Sequence, residues 1–277
     1  MMRWFCILLL ASSTQLGAQL AAQLPTELPQ VRHNSGEDIV PYFEGWIRNP
    51  DGTFDLVFGY FNRNWKQELV LPAGPENKVE PGSADQGQPT YFLPRRQRWI
   101  YRLRVPADFG NKEVTWTIVA NGRAETAYGS LLASEEINDR VVSSKGNLDP
   151  GQGDPNEPPS IMIPRDQSAT VAAPLKLQAT IRDDGLPKPR VIKQATPAGA
   201  FGAQIDRPAA AARGLTLSWI QYGGPGKAVF DSSDAIPVTN GQTSTTVRFT
   251  QPGTYRLRAI ANDGELSTTA DVVVTVK

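Results

Sequence analysis

Few residues of this chain could act as a catalytic base, a nucleophile or a soft metal ligand. The 277-residue sequence contains one histidine, His33, and one cysteine, Cys6. A Ser-His-Asp triad needs a histidine as its base, and zinc sites draw on several histidines and cysteines. No nucleophile-elbow, phosphate-loop or dinucleotide-binding motif occurs. The sequence therefore predicts no catalytic residue, and Glu44 with Glu80 is the carboxylate pair to consider for glycoside hydrolysis.

One tryptophan stands among polar residues and is the candidate for sugar binding. Trp65 follows Asn62, Arg63 and Asn64 at the end of a predicted strand. An exposed indole face can stack on a sugar ring, and the three preceding side chains could supply hydrogen bonds. Trp99 and Trp116 instead fall on inward registers of their strands, which predicts that both belong to the core.

A stripe of basic residues follows one predicted strand. Its members are Arg95, Arg96, Arg98, Arg102 and Arg104. Such a stripe could dock an acidic glycan, a lipopolysaccharide phosphate or an acidic protein patch. The alternative is a solvated strand face that is paired with acidic residues such as Glu113 on neighbouring strands.

Net charge and the N-terminus limit the compartment and the partners. The chain has 28 basic and 28 acidic residues, which argues against nucleic acid or an anionic membrane as the partner. Residues 1–22 have the pattern of a cleavable signal peptide: Arg3, a short apolar run and a zone of small residues. That run is too short to span a bilayer. Cys6 lies inside it, so we expect an exported protein, periplasmic or extracellular and bacterial, without disulfides.

Composition and turn signals divide the chain into two β-rich modules. The 24 glycines and 23 prolines favour short strands and many turns. We predict a signal peptide at 1–22, a loose lead-in at 23–38, a β-sandwich at 39–133, a Pro/Gly-rich linker at 134–157 and a second sandwich at 158–277. Residues 54–61 carry apolar side chains on both faces, as in a central strand. Asn121-Gly122 predicts a tight hairpin.

The second module has the landmarks of an immunoglobulin-like sandwich. Alternating apolar residues end in Trp219 on one strand, and Gly253 precedes Tyr255 on a later one, where the tyrosine corner would lie. The segments LKLQATIRDDG, LTLSWI and FTQPGTYRLRAIANDGELSTTADVVVTV resemble PKD-type and related bacterial immunoglobulin-like modules over residues 156–277. This resemblance implies an extracellular spacer or interaction module. The first module resembles uncharacterised exported bacterial proteins, which implies no chemistry.

The second module departs from this family at residues 185–213. These residues are rich in Pro, Gly and Ala where the family has a short connection. A loop of this length is either functional or disordered, and the sequence leaves both readings open.

Two loops of the second module carry oxygen donors that suit Ca²⁺. An immunoglobulin-like topology places the Asp183-Asp184 and Asn262-Asp263 turns at one end of the sandwich, near Asn156 and Glu157 of the incoming linker. Ca²⁺ is coordinated by carboxylate and amide oxygens of this kind. The alternative is that both segments are ordinary turns whose side chains bind their own backbone amides. The candidate Ca²⁺ would be a structural ion.

These features together predict an all-β, exported, non-catalytic protein that binds a glycan or a protein partner. A glycoside hydrolase, or the accessory subunit of a secreted enzyme, is the competing interpretation, and a structural spacer is the third.

Overall fold

The structure, a computed structural model, describes residues 32–146, 155–188 and 214–277. The predicted signal peptide, most of the lead-in and most of the 185–213 loop lie outside these residues. Residues His33–Lys277 form one unit. Its described part is built of short strands with one short α-helix, which confirms the all-β prediction.

The first module packs two sheets around an aromatic core. The elements are β1 (Ile39–Arg48), β2 (Phe54–Asn62), β3 (Leu69–Val70), β4 (Asn77–Glu80), β5 (Tyr91–Phe92), β6 (Arg95–Val105), β7 (Val114–Ala120), β8 (Arg123–Gly129) and β9 (Glu136–Ile137). One sheet has the order β6-β2-β1-β9, the other β4-β7-β8, and β3 pairs with β5. Phe58 and Trp116 meet edge to face in the core, with ring centroids 6.0 Å apart.

Two local predictions for this module are confirmed. The segment Phe54–Asn62 lies between two neighbouring strands and is buried on both faces, because its apolar side chains point both ways. Asn121 and Gly122 join β7 to β8 with φ values of 50° and 78°. A two-residue turn with both φ values positive matches the twist of the strands it connects.

A bulge in β6 changes the predicted register. Phe58 pairs with Tyr101 and Tyr60 pairs with Gln97, so three residues of β6 stand opposite Gly59. Trp99 has a φ of 49° there. The bulge turns Ile100 inward, where it is buried. Trp99, which was predicted to be core, is only half-buried.

The second module has the two sheets of an immunoglobulin-like sandwich. Its strands are β10 (Ser160–Met162), β11 (Asp166–Ala169), β12 (Leu175–Arg182), β13 (Thr216–Gly223), β14 (Ala228–Phe230), β15 (Ile236–Pro237), β16 (Gln242–Phe249), β17 (Gly253–Asn262) and β18 (Ser267–Val276). The sheet orders are β10-β12-β16-β14 and β11-β18-β17-β13-β15. The Tyr255 hydroxyl donates to the carbonyl oxygen of Gln251 at 2.8 Å, which is the expected tyrosine corner. Trp219 lies in the aliphatic core.

The first part of the predicted linker, residues 134–146, contains regular structure that its composition did not predict, and residues 147–154 lie outside the described residues. β9 pairs in parallel with β1, and α1 (Asp139–Ser143) follows at once. The Asn138 side chain accepts a hydrogen bond from the Val141 amide and so caps this helix. A helix of five residues has little stability of its own, so contacts with both modules must hold it. Sequence periodicity could not reveal an element this short.

Candidate functional site

The two modules are in direct contact through the Tyr222 side chain. Tyr222 belongs to β13 of the second module, yet it is 3% exposed and packs in the core of the first. Its hydroxyl donates to the Gly87 carbonyl at 2.7 Å, and its own carbonyl accepts from the Thr90 amide at 3.1 Å. Burial raises the pKa of this hydroxyl to about 12, although Arg258 opposes the shift. The interface therefore holds the modules in one arrangement.

Arg258 provides the second link between the modules. Its guanidinium stacks over the Tyr222 ring at 4.1 Å and forms two hydrogen bonds, of 2.7 and 3.0 Å, with Asp271. It also donates to the backbone carbonyl of Ile100 on β6. A buried guanidinium is stable only when its charge and its donors are matched, and here the partners come from both modules.

A groove of about 730 Å³ opens beside this contact. One wall is β6 with Arg96, Arg98 and Trp99, a second is α1 with Lys145 just beyond it, and the third is the start of β18. Its volume lies in the range of ligand-binding clefts. Sequence analysis identified the arginines of this groove but not its existence, because the groove forms only where the two modules meet.

Two arginines of the groove share one carboxylate. Arg96 Nη2 and Arg98 Nη2 each lie 3.5 Å from a different oxygen of Glu44, whose side chain is 6% exposed. Charge-assisted hydrogen bonds are shorter, near 2.7–2.9 Å. Each guanidinium also carries five N–H donors. The two side chains therefore retain donors and about one positive charge for the groove.

The other members of the basic stripe contact different neighbours, and Arg102 and Arg104 are paired with carboxylates. Arg102 lies 2.8 Å from Asp139 of α1, and Arg104 lies 2.9 Å from Asp55 of β2. Arg95 stacks on Trp65 at 4.2 Å. These acidic partners, together with Glu44, replace Glu113, which was the partner expected from sequence. Arg96 and Arg98 are therefore the members of the stripe that share a carboxylate, whereas Arg102 and Arg104 each have a close acidic partner.

Trp99 and Gly146 fix the position of Arg98. The Arg98 guanidinium lies 3.8 Å from the centroid of the Trp99 ring, a cation–π contact. Gly146 has a φ of 93°, and a Cβ added there would lie 2.7 Å from Trp99 Cη2 and 3.0 Å from Arg98 Nη1. Only glycine fits this close approach. The segment after α1 therefore braces the groove wall.

The predicted sugar-binding cluster is mostly internal. Asn62 and Asn64 are fully buried, and the Asn62 side chain donates to the carbonyls of Gln67 and Phe92. Neither amide can reach a ligand, so the prediction is wrong for these two residues. Arg63 is bound to Asp38 at 3.1 Å but half-exposed, and Trp65 is 38% exposed under Arg95. Sugar binding by Arg63 and Trp65 stays a prediction.

The candidate acid pair is divided between two sheets. Glu44 lies on β1 between its two arginines, whereas Glu80 lies on β4 at 2.7 Å from Lys78. Glycosidase carboxylates face one cleft across the scissile bond. Glu44 is instead held as a buried counter-ion, and Glu80 is a half-exposed partner of a lysine.

The two acidic turns of the second module lie beside each other and beside the incoming chain. Asp184 accepts from the Glu157 amide at 2.9 Å. Burial raises the pKa of Asp183, and repulsion by Asp263 and Asp184 adds to the shift. Asp183 Oδ1 and Asp263 Oδ2 are buried without a hydrogen-bond partner, and Asp263 is 5% exposed.

The other side-chain oxygens at this end of the sandwich bind nearby backbone amides, as expected for ordinary turns. Asn262 Oδ1 accepts from the Gly264 amide, and Asp263 Oδ1 accepts from the amides of Glu265 and Leu266. Within the described ranges, no three side chains of His, Cys, Asp and Glu converge as a metal site would require. In the same residues, no helix has the length and apolar character needed to cross a membrane.

Comparisons with known proteins yield structural likenesses only. No family model matches the chain, and no curated protein matches it. Among solved structures, the D00-D0 domain of intimin is 12% identical, with 86% of this chain and 100% of that chain covered and a TM-score of 0.27. A conjugative transposon lipoprotein from Bacteroides eggerthii DSM 20697 is 10% identical, with 43% and 98% covered and a TM-score of 0.27. The titin Ig tandem A164-A165 is 8% identical, with 87% and 99% covered and a TM-score of 0.23. The immunoglobulin-like assignment of the second module rests on its own strand order and tyrosine corner.

Proposed function

We propose that the chain is an exported, non-catalytic binding protein whose ligand site is the groove between its two modules. One observation carries this proposal: the Tyr222 contact locks the modules so that β6, α1 and β18 form the walls of one preformed cleft. A cleft that exists before binding avoids the ordering cost of bringing two domains together. The separate positions of Glu44 and Glu80 support a binding role over glycoside hydrolysis.

Blocking the groove tests this proposal. Thr269 is an exposed groove residue on β18, so Thr269→Trp fills the cleft without changing charge. Wild-type chain and variant are compared on an array of glycans and immobilised extracellular proteins. Thr275→Trp, at an exposed position of the same strand outside the groove, is the matched control. A ligand that binds wild type and the control but not Thr269→Trp supports the groove. Ligands that bind all three equally place the binding site elsewhere and contradict the proposal.

A structural cation at the end of the second module is a separate proposal. Two buried carboxylate oxygens without partners, Asp183 Oδ1 and Asp263 Oδ2, support it. Asp183 is half-buried and Asp263 almost fully buried, and their carboxylates repel each other, which is unfavourable unless a proton or a cation neutralises the charge. Asn156 is buried and directly precedes Glu157, whose amide binds Asp184, and its side chain has an amide oxygen, which Ca²⁺ accepts as a ligand. The ion would fix the segment that enters the second module.

Thermal unfolding with and without calcium tests the cation. If the site binds Ca²⁺ with the affinity typical of extracellular calcium-binding modules, 5 mM Ca²⁺ stabilises the fold by about 1–2 kcal/mol. Asp183→Asn and Asp263→Asn should abolish this gain. Asp231→Asn, which removes an exposed partner of Arg248, should keep it. An unchanged melting temperature of the wild type in 5 mM Ca²⁺ would rule the site out.

A further inference from the structure

Among the described residues, the unmatched charges of the groove are positive, and this identifies the class of ligand. Resting on the groove function proposed above, we infer that the ligand is an acidic polysaccharide whose carboxylate or sulfate groups bind Arg96, Arg98 and Lys145. The other residues that line the groove bind the sugar hydroxyls of this ligand and hold them in position.

The charge balance favours an anion. Arg96 and Arg98 face a single carboxylate, that of Glu44, at a long separation of 3.5 Å. Lys145 is exposed at the end of α1 and has no acidic partner within 4 Å among the described residues. Arg102 and Arg258 line the same groove but are matched by Asp139 and Asp271. Over the residues that the structure describes, the net surplus at the groove is therefore about two positive charges.

The neutral part of the lining suits a polyhydroxylated chain. Ser267, Thr268 and Thr269 follow one another along the wall formed by β18. The Ser267 hydroxyl donates to the Ser143 carbonyl at 2.8 Å and keeps its acceptor capacity. The hydroxyls of Thr268 and Thr269 can each donate and accept a hydrogen bond, as sugar hydroxyls do. Ile100 and Ile260 add small apolar surfaces to the lining. An acidic polypeptide would meet the same cations, but it has few hydroxyls to offer this wall.

The arginines are held in place before a ligand arrives. Arg98 stacks on Trp99, which in turn is braced by Gly146, and Arg96 lies over the Tyr42 ring at 5.3 Å. Stacking restricts guanidinium rotamers, so less side-chain entropy is lost on binding. The groove also lies on rigid strands, which keeps the spacing between its cations constant.

Calorimetric titration of the whole chain tests the inference. The probes are polygalacturonate oligosaccharides (carboxylate), dextran sulfate oligosaccharides (sulfate), neutral dextran of matched length and poly-glutamate. The test variants are Arg96→Gln/Arg98→Gln and Lys145→Gln. The matched control is Arg48→Gln/Arg248→Gln, which removes two exposed arginines outside the groove and changes net charge equally. Melting temperatures establish that each variant is folded.

The inference predicts binding of at least one acidic oligosaccharide and at least ten-fold tighter binding than of neutral dextran or poly-glutamate. The groove double variant should lose at least ten-fold in affinity and Lys145→Gln about three-fold, while the control double variant loses less than two-fold. The inference would be overturned if both double variants lost affinity equally, or if poly-glutamate bound as tightly as the acidic oligosaccharides. It would also be overturned if neither acidic probe bound. A neutral ligand blocked by Thr269→Trp would overturn this inference while leaving the groove function intact. The carboxylate and sulfate probes show which anion the groove prefers.

Discussion

The Tyr222 hydroxyl of the second module donates a 2.7 Å hydrogen bond to the Gly87 carbonyl of the first. The acceptor is a backbone atom, and the Tyr222 ring is buried among residues of the first module. The two β-sandwiches therefore share part of one core. A binding assay on the first module alone would lack two of the three groove walls.

Replacing Tyr222 should uncouple the modules. Tyr222→Ala removes a buried ring and its hydrogen bond, which costs about 3–5 kcal/mol. The wild type should unfold in urea in one transition, seen alike by tryptophan fluorescence and by circular dichroism, whereas the variant should show two. Tyr128→Ala, at a residue that is 60% exposed, should behave as wild type. A single transition in Tyr222→Ala, with less than about 1 kcal/mol lost, would contradict the shared core.

Adding one methyl group at Gly146 should disturb the groove. Gly146→Ala places a Cβ against Trp99 and strains a backbone with a φ of 93°. The expected cost is about 1–2 kcal/mol in thermal stability, with weaker binding of the acidic oligosaccharide. Gly122→Ala has a similar positive φ but open space around it, so it should lose stability without losing affinity. Equal affinities for the two variants would show that the brace on Arg98 is unimportant.

The carboxylate of Asp55 should make the free energy of unfolding depend on pH under acidic conditions. Burial alone would raise the pKa of Asp55, but hydrogen bonds from Arg104 and Asn49 and the charges of Arg104 and Arg102 outweigh burial and lower it. A lowered pKa in the folded state adds stability above the unfolded value, about 3.9, and this stability is lost as pH falls through the folded value. Asp55→Asn should therefore be less stable than wild type at pH 7, with the difference shrinking below about pH 4. Urea unfolding across this range measures the effect. A difference that is independent of pH would contradict it.

Replacing Asn77 should lower the free energy of unfolding of the first module. Its buried side chain donates to the carbonyls of Leu71 and Pro89 and accepts from the Trp116 indole. Asn77→Ala leaves these three buried groups without partners and should cost about 2–4 kcal/mol. Asn111→Ala, at an exposed turn, should change the free energy of unfolding by less than about 0.5 kcal/mol. Comparable losses for the two variants in urea unfolding would contradict this role.

Local sequence patterns predicted most of the strands but not what lies between them. Trp116, Trp219 and Tyr255 have the predicted core positions, because alternation and turn residues act over a few neighbours. Trp99 was misassigned to the core because a bulge depends on the facing strand, and the pattern of a single strand does not contain that information. Asn62 looked like a surface residue for the same reason: the carbonyl of Phe92 that it binds is thirty residues away.

The groove itself could not be predicted from sequence. Its arginines formed a visible stripe, yet the lysine and glycine that complete it, Lys145 and Gly146, lie in a segment whose composition resembles a linker. Which arginines stay available depends on Glu44, Asp55 and Asp139, and these reach the stripe from separate elements. Pairings of this kind are set by tertiary structure.

Hydrogen exchange of the whole chain, with and without the acidic oligosaccharide, tests the central claim most directly. Binding in the groove should slow exchange together in β6 around Arg96–Ile100, in the segment around Lys145 and at the start of β18 around Ser267–Thr269. Thr269→Trp should abolish all three changes. Protection that is confined to one module, or that persists in Thr269→Trp, would contradict a binding site built between the two.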